Sequence, residues 1–87
     1  MTDKFVSLND KVDQKKKKKS FKGFQVNKGL TKSAKKNFIF LHCLPANRGE
    51  EVSSEIIDGA NSVVWKQAEN RFHVQKSILL YCFKKLR

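Results

Sequence analysis

The sequence predicts an α/β fold: part of a three-layer, Rossmann-like domain with a parallel sheet of about three strands and three to four helices. The first observation behind this prediction is the run Phe38–His42, which is almost continuously apolar. Such runs are typical of strands that are covered on both faces, as in parallel sheets. The second observation is that candidate strands and candidate helices alternate along the 87 residues.

Three strands are predicted from short runs of apolar, aromatic and β-branched residues. They are Phe5–Leu8, Phe38–His42 and Ser62–Trp65. The first strand begins almost at residue 1, so we expect a segment of the domain to be missing upstream. The strand edges and the apolar residues Phe38, Phe40, Val63 and Trp65 should then lack part of their cover, which favours association and low stability.

Four helices are predicted between and after the strands: residues 10–22, residues 28–35, residues 51–58 and residues 67–85. Asn9 or Asp10 can cap the first helix and Gly23 can end it, while Asn27 can cap the second. The third should end at Gly59. Apolar residues at helical spacing line the fourth, namely Ala68, Phe72, Leu79 and Phe83, with Val74, Ile78 and Cys82 beside them.

The positive charge lies mainly in the first part of the chain. The net charge is +11, and residues 1–37 hold 12 lysines against three aspartates, including the run Lys15–Lys19. Apolar runs are far too short for a membrane span, and residues 1–4 do not resemble the start of a signal peptide. Two cysteines without C-x-x-C spacing favour a reducing compartment, so we expect a soluble, cytoplasmic protein.

The corner His42-Cys43-Leu44-Pro45 follows the second predicted strand, where α/β sheets commonly bind ligands. The ordinary interpretation is a strand that ends in a proline turn, with Cys43 as a small buried hydrophobe. A zinc site from His42, Cys43, His73 and Cys82 is disfavoured because no pair has ligand spacing. A Cys–His nucleophile would lack an orienting partner. The corner alone leaves these alternatives open.

Longer segments resemble the C-terminal part of the ornithine carbamoyltransferase family. The resemblance is carried by HCLPANRGEEV (residues 42–52), IDG (57–59) and AENRFHVQK (68–76). Residues 2–8 resemble the family's D-x-W-x-S-M-G segment, and residues 24–27 also match. Aspartate carbamoyltransferases have H-P-L-P at the corner, which Cys43 argues against. Putrescine carbamoyltransferases share H-C-L-P but have Y-G-L where this chain has Ser7-Leu8-Asn9, so a putrescine enzyme remains an alternative.

The resemblance implies transfer of the carbamoyl group of carbamoyl phosphate to ornithine, which gives citrulline and phosphate in arginine metabolism. It implies no metal or organic cofactor, and a homotrimeric assembly. Catalysis would then depend on positioning and electrostatics.

The resemblance also implies roles for single residues, which are of three kinds. Asp3, Ser7 and the backbone at Leu8 would bind the amino-acid end of ornithine. Cys43 would lie beside the reacting groups, the Leu44 carbonyl would accept from the carbamoyl NH2 through a cis Leu44–Pro45 bond, and Arg71 would donate to the carbamoyl oxygen. His42 and Pro45 would support the corner.

Residues 1–87 would therefore form a single incomplete, ornithine-binding domain. The family's S-x-R-T-R and H-P-x-Q segments, which bind carbamoyl phosphate in an N-terminal domain, have no match in this sequence. Without the arginines of the S-x-R-T-R segment nothing would bind the leaving phosphate, so we expect the isolated chain to be inactive.

Two other classes of function remain open. A small basic protein could contact nucleic acid without sequence preference through Lys15–Lys19. Its aromatic residues, however, are not interleaved with the lysines in the sequence. A non-catalytic partner that docks on intact subunits is the third possibility.

Overall fold

Four helices make up the regular structure of the computed structural model, which describes residues 1–6 and 13–84. They are α1 (Gln14–Ser20), α2 (Lys28–Thr31), α3 (Ser54–Ile57) and α4 (Val64–Cys82). Within the described residues, parallel pairing is limited to four isolated bridges: Thr2 with His42, Val26 with Val52, Phe40 with Ser62, and Arg48 with Val52. The parallel direction agrees with the predicted fold, whereas the described residues contain isolated bridges and no three-strand sheet.

The predicted strand Ser62–Trp65 is wrong, because α4 begins at Val64. Only Ser62 pairs with a neighbouring segment, and the Val63 amide donates to the Phe40 carbonyl at 3.0 Å immediately before the helix. Val64 is fully buried in the core at the first helical position. Burial of this β-branched residue outweighs its strand propensity. Trp65, on the next position of the helix, is 57% exposed.

The first predicted strand is also not observed in its described part. Thr2 pairs with His42, but Phe5 lies in a bend and Val6 is buried outside any strand. Residues 7 and 8 lie outside the described residues.

The helices α1 and α2 begin at capping side chains. Asp13 caps α1 by accepting from the Lys15 amide at 3.0 Å, while the predicted caps Asn9 and Asp10 lie outside the described residues. Asn27 caps α2 as predicted, by accepting from the Leu30 amide at 3.0 Å. The helix α2 ends at Thr31 rather than near residue 35.

The third helix is shorter than predicted, because residues 51–53 form a loop whose backbone is hydrogen-bonded to Val26. The Val26 amide donates to the Glu51 carbonyl at 2.9 Å, and the Ser53 amide donates to the Val26 carbonyl at 3.0 Å. Gly59 follows α3 as predicted, and a Cβ at this position would lie 2.7 Å from a backbone carbonyl oxygen of α3. A side chain at residue 59 would therefore require the backbone to shift.

A small core holds these segments together. Five buried apolar residues form it, with Val26, Phe38 and Ala46 packed against them: Phe40, Val52, Ile56, Ile57 and Val64. Phe40 is 5% exposed. The prediction that this residue lacks part of its cover is therefore wrong. The Cα radius of gyration is 16.6 Å, whereas a compact domain of this length has about 12 Å. The chain is therefore extended around a core that is small for its length.

The fourth helix carries a long exposed apolar surface. Its residues beyond the first turn are mostly exposed, including the predicted stripe. The large apolar side chains concerned are Phe72, Val74, Ile78, Leu79, Leu80, Tyr81 and Phe83. Among the described residues, no helix has both the length and the apolarity needed to cross a bilayer.

Candidate functional site

The corner His42–Pro45 and the first turns of α4 line one cleft. The cleft has a volume of about 380 Å³ and is lined by His42, Cys43, Leu44, Gln67, Ala68 and Arg71. The Leu44–Pro45 peptide bond is cis, as the resemblance implies. Arg71 follows Gln67 by one helical turn and therefore lies on the same face of α4. The fold thus brings Arg71 to the corner, which the sequence alone could not require.

Asp3 meets Cys43 at the side of this corner, although the two residues are 40 positions apart. The Cys43 thiol donates to Asp3 Oδ1 at 2.9 Å, and the Lys4 amide donates to the same oxygen at 2.7 Å. The bridge from Thr2 to His42, with its hydrogen bond from the Thr2 amide to the Leu41 carbonyl at 2.9 Å, brings these segments together.

This contact changes the acidity of both groups. Hydrogen bonds from the thiol and from the Lys4 amide lower the pKa of Asp3. The hydrogen bond to the Asp3 carboxylate, followed by partial desolvation, raises the pKa of the Cys43 thiol. Cys43 is therefore a protonated thiol at neutral pH, which does not favour a Cys–His nucleophile at this corner.

His42 packs inside the corner and is 1% exposed. Its amide donates to Gln67 Oε1 at 3.0 Å, and its ring Nδ1 is in hydrogen-bond contact with the Cys43 carbonyl. Its Nε2 lies 3.2 Å from Glu51 Oε1 but without the alignment of a hydrogen bond. The imidazole is thus enclosed between the corner and a buried carboxylate.

Glu51 holds the loop that follows the corner. It is 1% exposed, and its Oε1 accepts from the Asn47 amide at 2.7 Å. In the same loop Gly49 has a φ of 83°, a left-handed conformation that glycine adopts without strain, and its amide donates to the Val52 carbonyl at 2.8 Å. The guanidinium of Arg48 forms a two-point ion pair with Asp58 after α3.

The sequence-predicted site residues therefore fall into three groups. Asp3, His42, Cys43, Leu44 and Arg71 meet at the cleft or beside it, with Pro45 completing the corner. Ser7 and Leu8 lie outside the described residues. The disfavoured zinc set is not assembled, since His73 pairs with Glu69 at 3.4 Å and Cys82 is exposed near the end of α4.

Two residues at the site, Gln67 and Glu51, were missed by the sequence analysis. Gln67 precedes Arg71 by four positions, and this helical spacing is the signal that could have drawn attention to it. Glu51 follows another glutamate in a polar loop and looks like an ordinary solvated acid. Nothing in the sequence distinguishes a buried carboxylate there from an exposed one.

Comparison with known proteins gives one consistent family. Residues 1–82 match the family model described as aspartate/ornithine carbamoyltransferase, Asp/Orn binding domain. An ornithine carbamoyltransferase of Ruthia magnifica is 53% identical over 81 residues, which is 93% of this chain and 27% of that protein. The anabolic ornithine carbamoyltransferase of Pyrococcus furiosus is 53% identical over 78 residues, covering 90% of this chain and 25% of that protein.

Solved structures of the same kind of protein share the fold. The ornithine carbamoyltransferase structure from Pyrococcus furiosus matches with a TM-score of 0.80 at 51% identity, over 90% of this chain and 25% of that one. The anabolic ornithine carbamoyltransferase structure from Campylobacter jejuni matches with a TM-score of 0.85 at 38% identity, over 97% of this chain and 28% of that one. The chain therefore spans about a quarter of the length of the relatives that it matches.

Proposed function

Since this chain belongs to the aspartate/ornithine carbamoyltransferase family, we propose that it supplies the ornithine-binding part of an ornithine carbamoyltransferase. The observation that carries the proposal is the cleft between the corner and α4, in which Leu44 and Arg71 face one small volume and Asp3 lies against Cys43. The relatives described above carry the name ornithine carbamoyltransferase, so the putrescine alternative is not favoured.

The chemistry that we propose for this site is attack by the neutral side-chain amine of ornithine on the carbamoyl carbon. A C–N bond forms, the C–O bond to phosphate breaks, and the proton that the amine loses goes to the departing phosphate. Arg71 donates to the carbamoyl oxygen as negative charge develops there, and the Leu44 carbonyl accepts from the carbamoyl NH2. Cys43 lies beside the reacting groups, and His42 and Pro45 hold the corner.

Recognition of the amino-acid end of ornithine is proposed for Asp3, Ser7 and the backbone at Leu8, of which the last two lie outside the described residues. The carboxylate of Asp3 has the charge needed to bind an ammonium group. The Oδ1 atom of this carboxylate accepts from the Cys43 thiol. An incoming ammonium would therefore compete with the thiol for the same oxygen atoms.

Residues 1–87 would need further parts to form a complete site. The arginines that bind phosphate in the family, the remaining strands of a three-layer parallel sheet, and the other subunits of a trimer would be supplied from outside residues 1–87, which would form one incomplete domain. The exposed apolar surface of α4 and the extended shape support this. Two free cysteines among the described residues fit the cytoplasm, which we propose as the location.

The test combines binding with turnover. Ornithine added to the isolated chain should shift the amide NMR signals of Asp3 and Cys43. Putrescine, which keeps both amino groups but lacks the carboxylate, should shift them less. Citrulline formation by the chain alone should stay at the level of a buffer blank. Equal shifts with both amines, or turnover by the chain alone, would contradict the proposal.

Coexpression with the N-terminal portion of a relative in a strain without ornithine carbamoyltransferase tests the site directly. We expect growth without arginine, abolished by Arg71→Ala and retained by Lys76→Ala, a change at an exposed position of α4 outside the cleft. Growth that survives Arg71→Ala would remove the role proposed for this residue.

A second candidate function is nonspecific contact with nucleic acid through Lys15–Lys19. The structure brings aromatic rings to these lysines, which the sequence did not predict: Phe5 and Phe21 stack at 4.7 Å between ring centroids, and both line a cleft with Lys18, Lys19 and Lys22. Ammonium groups beside aromatic rings are the usual means of binding single strands. Binding of labelled single-stranded DNA that weakens steeply with salt would support the contact, and no binding at low salt would exclude it.

A further inference from the structure

We propose that Gln67 is a positioning residue that holds the corner in register with Arg71, an inference that rests on the function proposed above. Gln67 lies in the first turn of α4 and is partly buried. Its carbonyl Oε1 accepts from the His42 amide at 3.0 Å, across 25 residues of sequence. One side chain thus joins the helix that carries Arg71 to the corner that carries Leu44.

The same side chain also reaches the segment that carries Asp3. Gln67 Nε2 lies 3.8 Å from the sulfur of Met1, a weak acceptor, two residues before Asp3. The two ends of one amide group therefore contact the corner and the N-terminal segment. These are the pieces of the site that come from different parts of the chain.

Helical geometry makes this contact effective for Arg71. Residues four apart on a helix lie on one face, about 6 Å apart along the axis. Gln67, Ala68 and Arg71 all line the cleft, so the anchor point at Gln67 sets both the rotation and the axial position of Arg71 relative to Leu44. A rotation of α4 by one residue, about 100°, would turn Arg71 away from the cleft.

The His42 amide depends on this acceptor because His42 is almost fully buried. A buried N–H group without a partner is unfavourable, so the structure around it relaxes when the acceptor is removed. The neighbouring Cys43 is the residue through which such a movement becomes measurable, since its thiol lies 2.9 Å from Asp3.

The test uses the 87-residue chain without any substrate, so its outcome is independent of whether the chain transfers carbamoyl groups. Gln67→Leu removes the acceptor, whereas Gln67→Glu retains an oxygen at the same reach. Amide hydrogen exchange of His42 and the alkylation rate of Cys43 are measured for each variant. Gln67→Leu should speed exchange of the His42 amide about fivefold and alkylation of Cys43 about threefold. Gln67→Glu should leave both rates at the wild-type values.

The matched control is Gln25→Leu, which removes another glutamine contact with the backbone. Gln25 Nε2 donates to the Gly49 carbonyl at 2.8 Å, away from the cleft lined by the corner and α4. This variant should leave His42 exchange and Cys43 alkylation at the wild-type rates even where it lowers the thermal midpoint. If Gln67→Leu does not fold, Gln67→Asn, which is one methylene too short to reach the amide, is measured in its place.

The proposal is overturned by either of two results. In the first, the Gln67 variants without an acceptor exchange the His42 amide no faster than Gln25→Leu does. In the second, Gln67→Glu behaves like Gln67→Leu, which would show that the packing of the side chain matters and its hydrogen bond does not.

Discussion

Replacing Glu51 with alanine tests whether a buried carboxylate holds the corner loop. The Glu51 side chain is 1% exposed and the facing His42 side chain is 0% exposed, with 3.2 Å between His42 Nε2 and Glu51 Oε1. Glu51→Ala leaves the Asn47 amide without the acceptor that it has at 2.7 Å. It also leaves the buried imidazole without its acidic neighbour and opens a cavity.

The expected loss of unfolding free energy follows from these contacts. The Asn47 amide left without an acceptor costs about 1–3 kcal/mol, and the cavity left by the side chain adds about 1 kcal/mol, so the loss should be about 3 kcal/mol. A domain of this length has a total stability of about 4–13 kcal/mol. Because the core is small for the chain length, we expect a value near the lower limit. Glu51→Ala should therefore remove most of the unfolding free energy of the fold.

Urea denaturation followed by far-UV circular dichroism measures the loss. With a slope of about 1 kcal/mol per molar urea, Glu51→Ala should lower the midpoint by about 3 M or abolish the folded baseline. Glu51→Gln retains an acceptor for the Asn47 amide and should lose about half as much free energy.

The chain offers a matched control in Glu69, which also faces a histidine. Glu69 and His73 approach at 3.4 Å on α4, but their side chains are 71% and 58% exposed. Glu69→Ala should change the stability by less than about 0.5 kcal/mol, because exposed pairs are screened by solvent. If Glu51→Ala costs no more than Glu69→Ala does, the carboxylate does not hold the loop and the reasoning fails.

Three further predictions concern the thiol and the core. Asp3→Asn removes the anionic acceptor that raises the pKa of Cys43, so alkylation of this thiol should begin at lower pH than in the wild type, with Cys82 as the internal reference; an unchanged pH profile would count against the contact. Ile57, which is 1% exposed, should lose about 2–5 kcal/mol on replacement by alanine and about 1 kcal/mol on replacement by valine, measured by urea denaturation. Gly59→Ala places a Cβ 2.7 Å from a backbone carbonyl of α3 and should cost about 1–3 kcal/mol, whereas a neutral effect would mean that the backbone yields there.

Local interactions explain why some elements could be predicted. Asn27 caps α2 because its side chain reaches an amide three residues ahead, and Gly23 has a φ of 90° after α1, as a stop signal requires. The corner was located for a similar reason, since a proline after an apolar run marks a local change of direction. These features depend on neighbours within a few residues, so the sequence contains them fully.

The predictions that failed depended on distant neighbours. Ser62–Trp65 has strand propensity, but Val64 is buried at the start of a helix because of what the fold packs against it. The apolar spacing along α4 correctly indicated a helix. It did not indicate that the apolar side chains would be exposed, since exposure depends on whether another surface is present to cover them.

By itself the sequence determined the family, the cap of α2 and the position of the corner, because these follow from residue order and from contacts within one turn. Only the tertiary structure decided that Asp3 meets Cys43, that Gln67 holds the His42 amide, and that Glu51 is a buried carboxylate. These features depend on residues that are distant in the sequence. Bringing such residues together costs chain entropy, which the packing of the whole fold offsets, so no short sequence pattern predicts them.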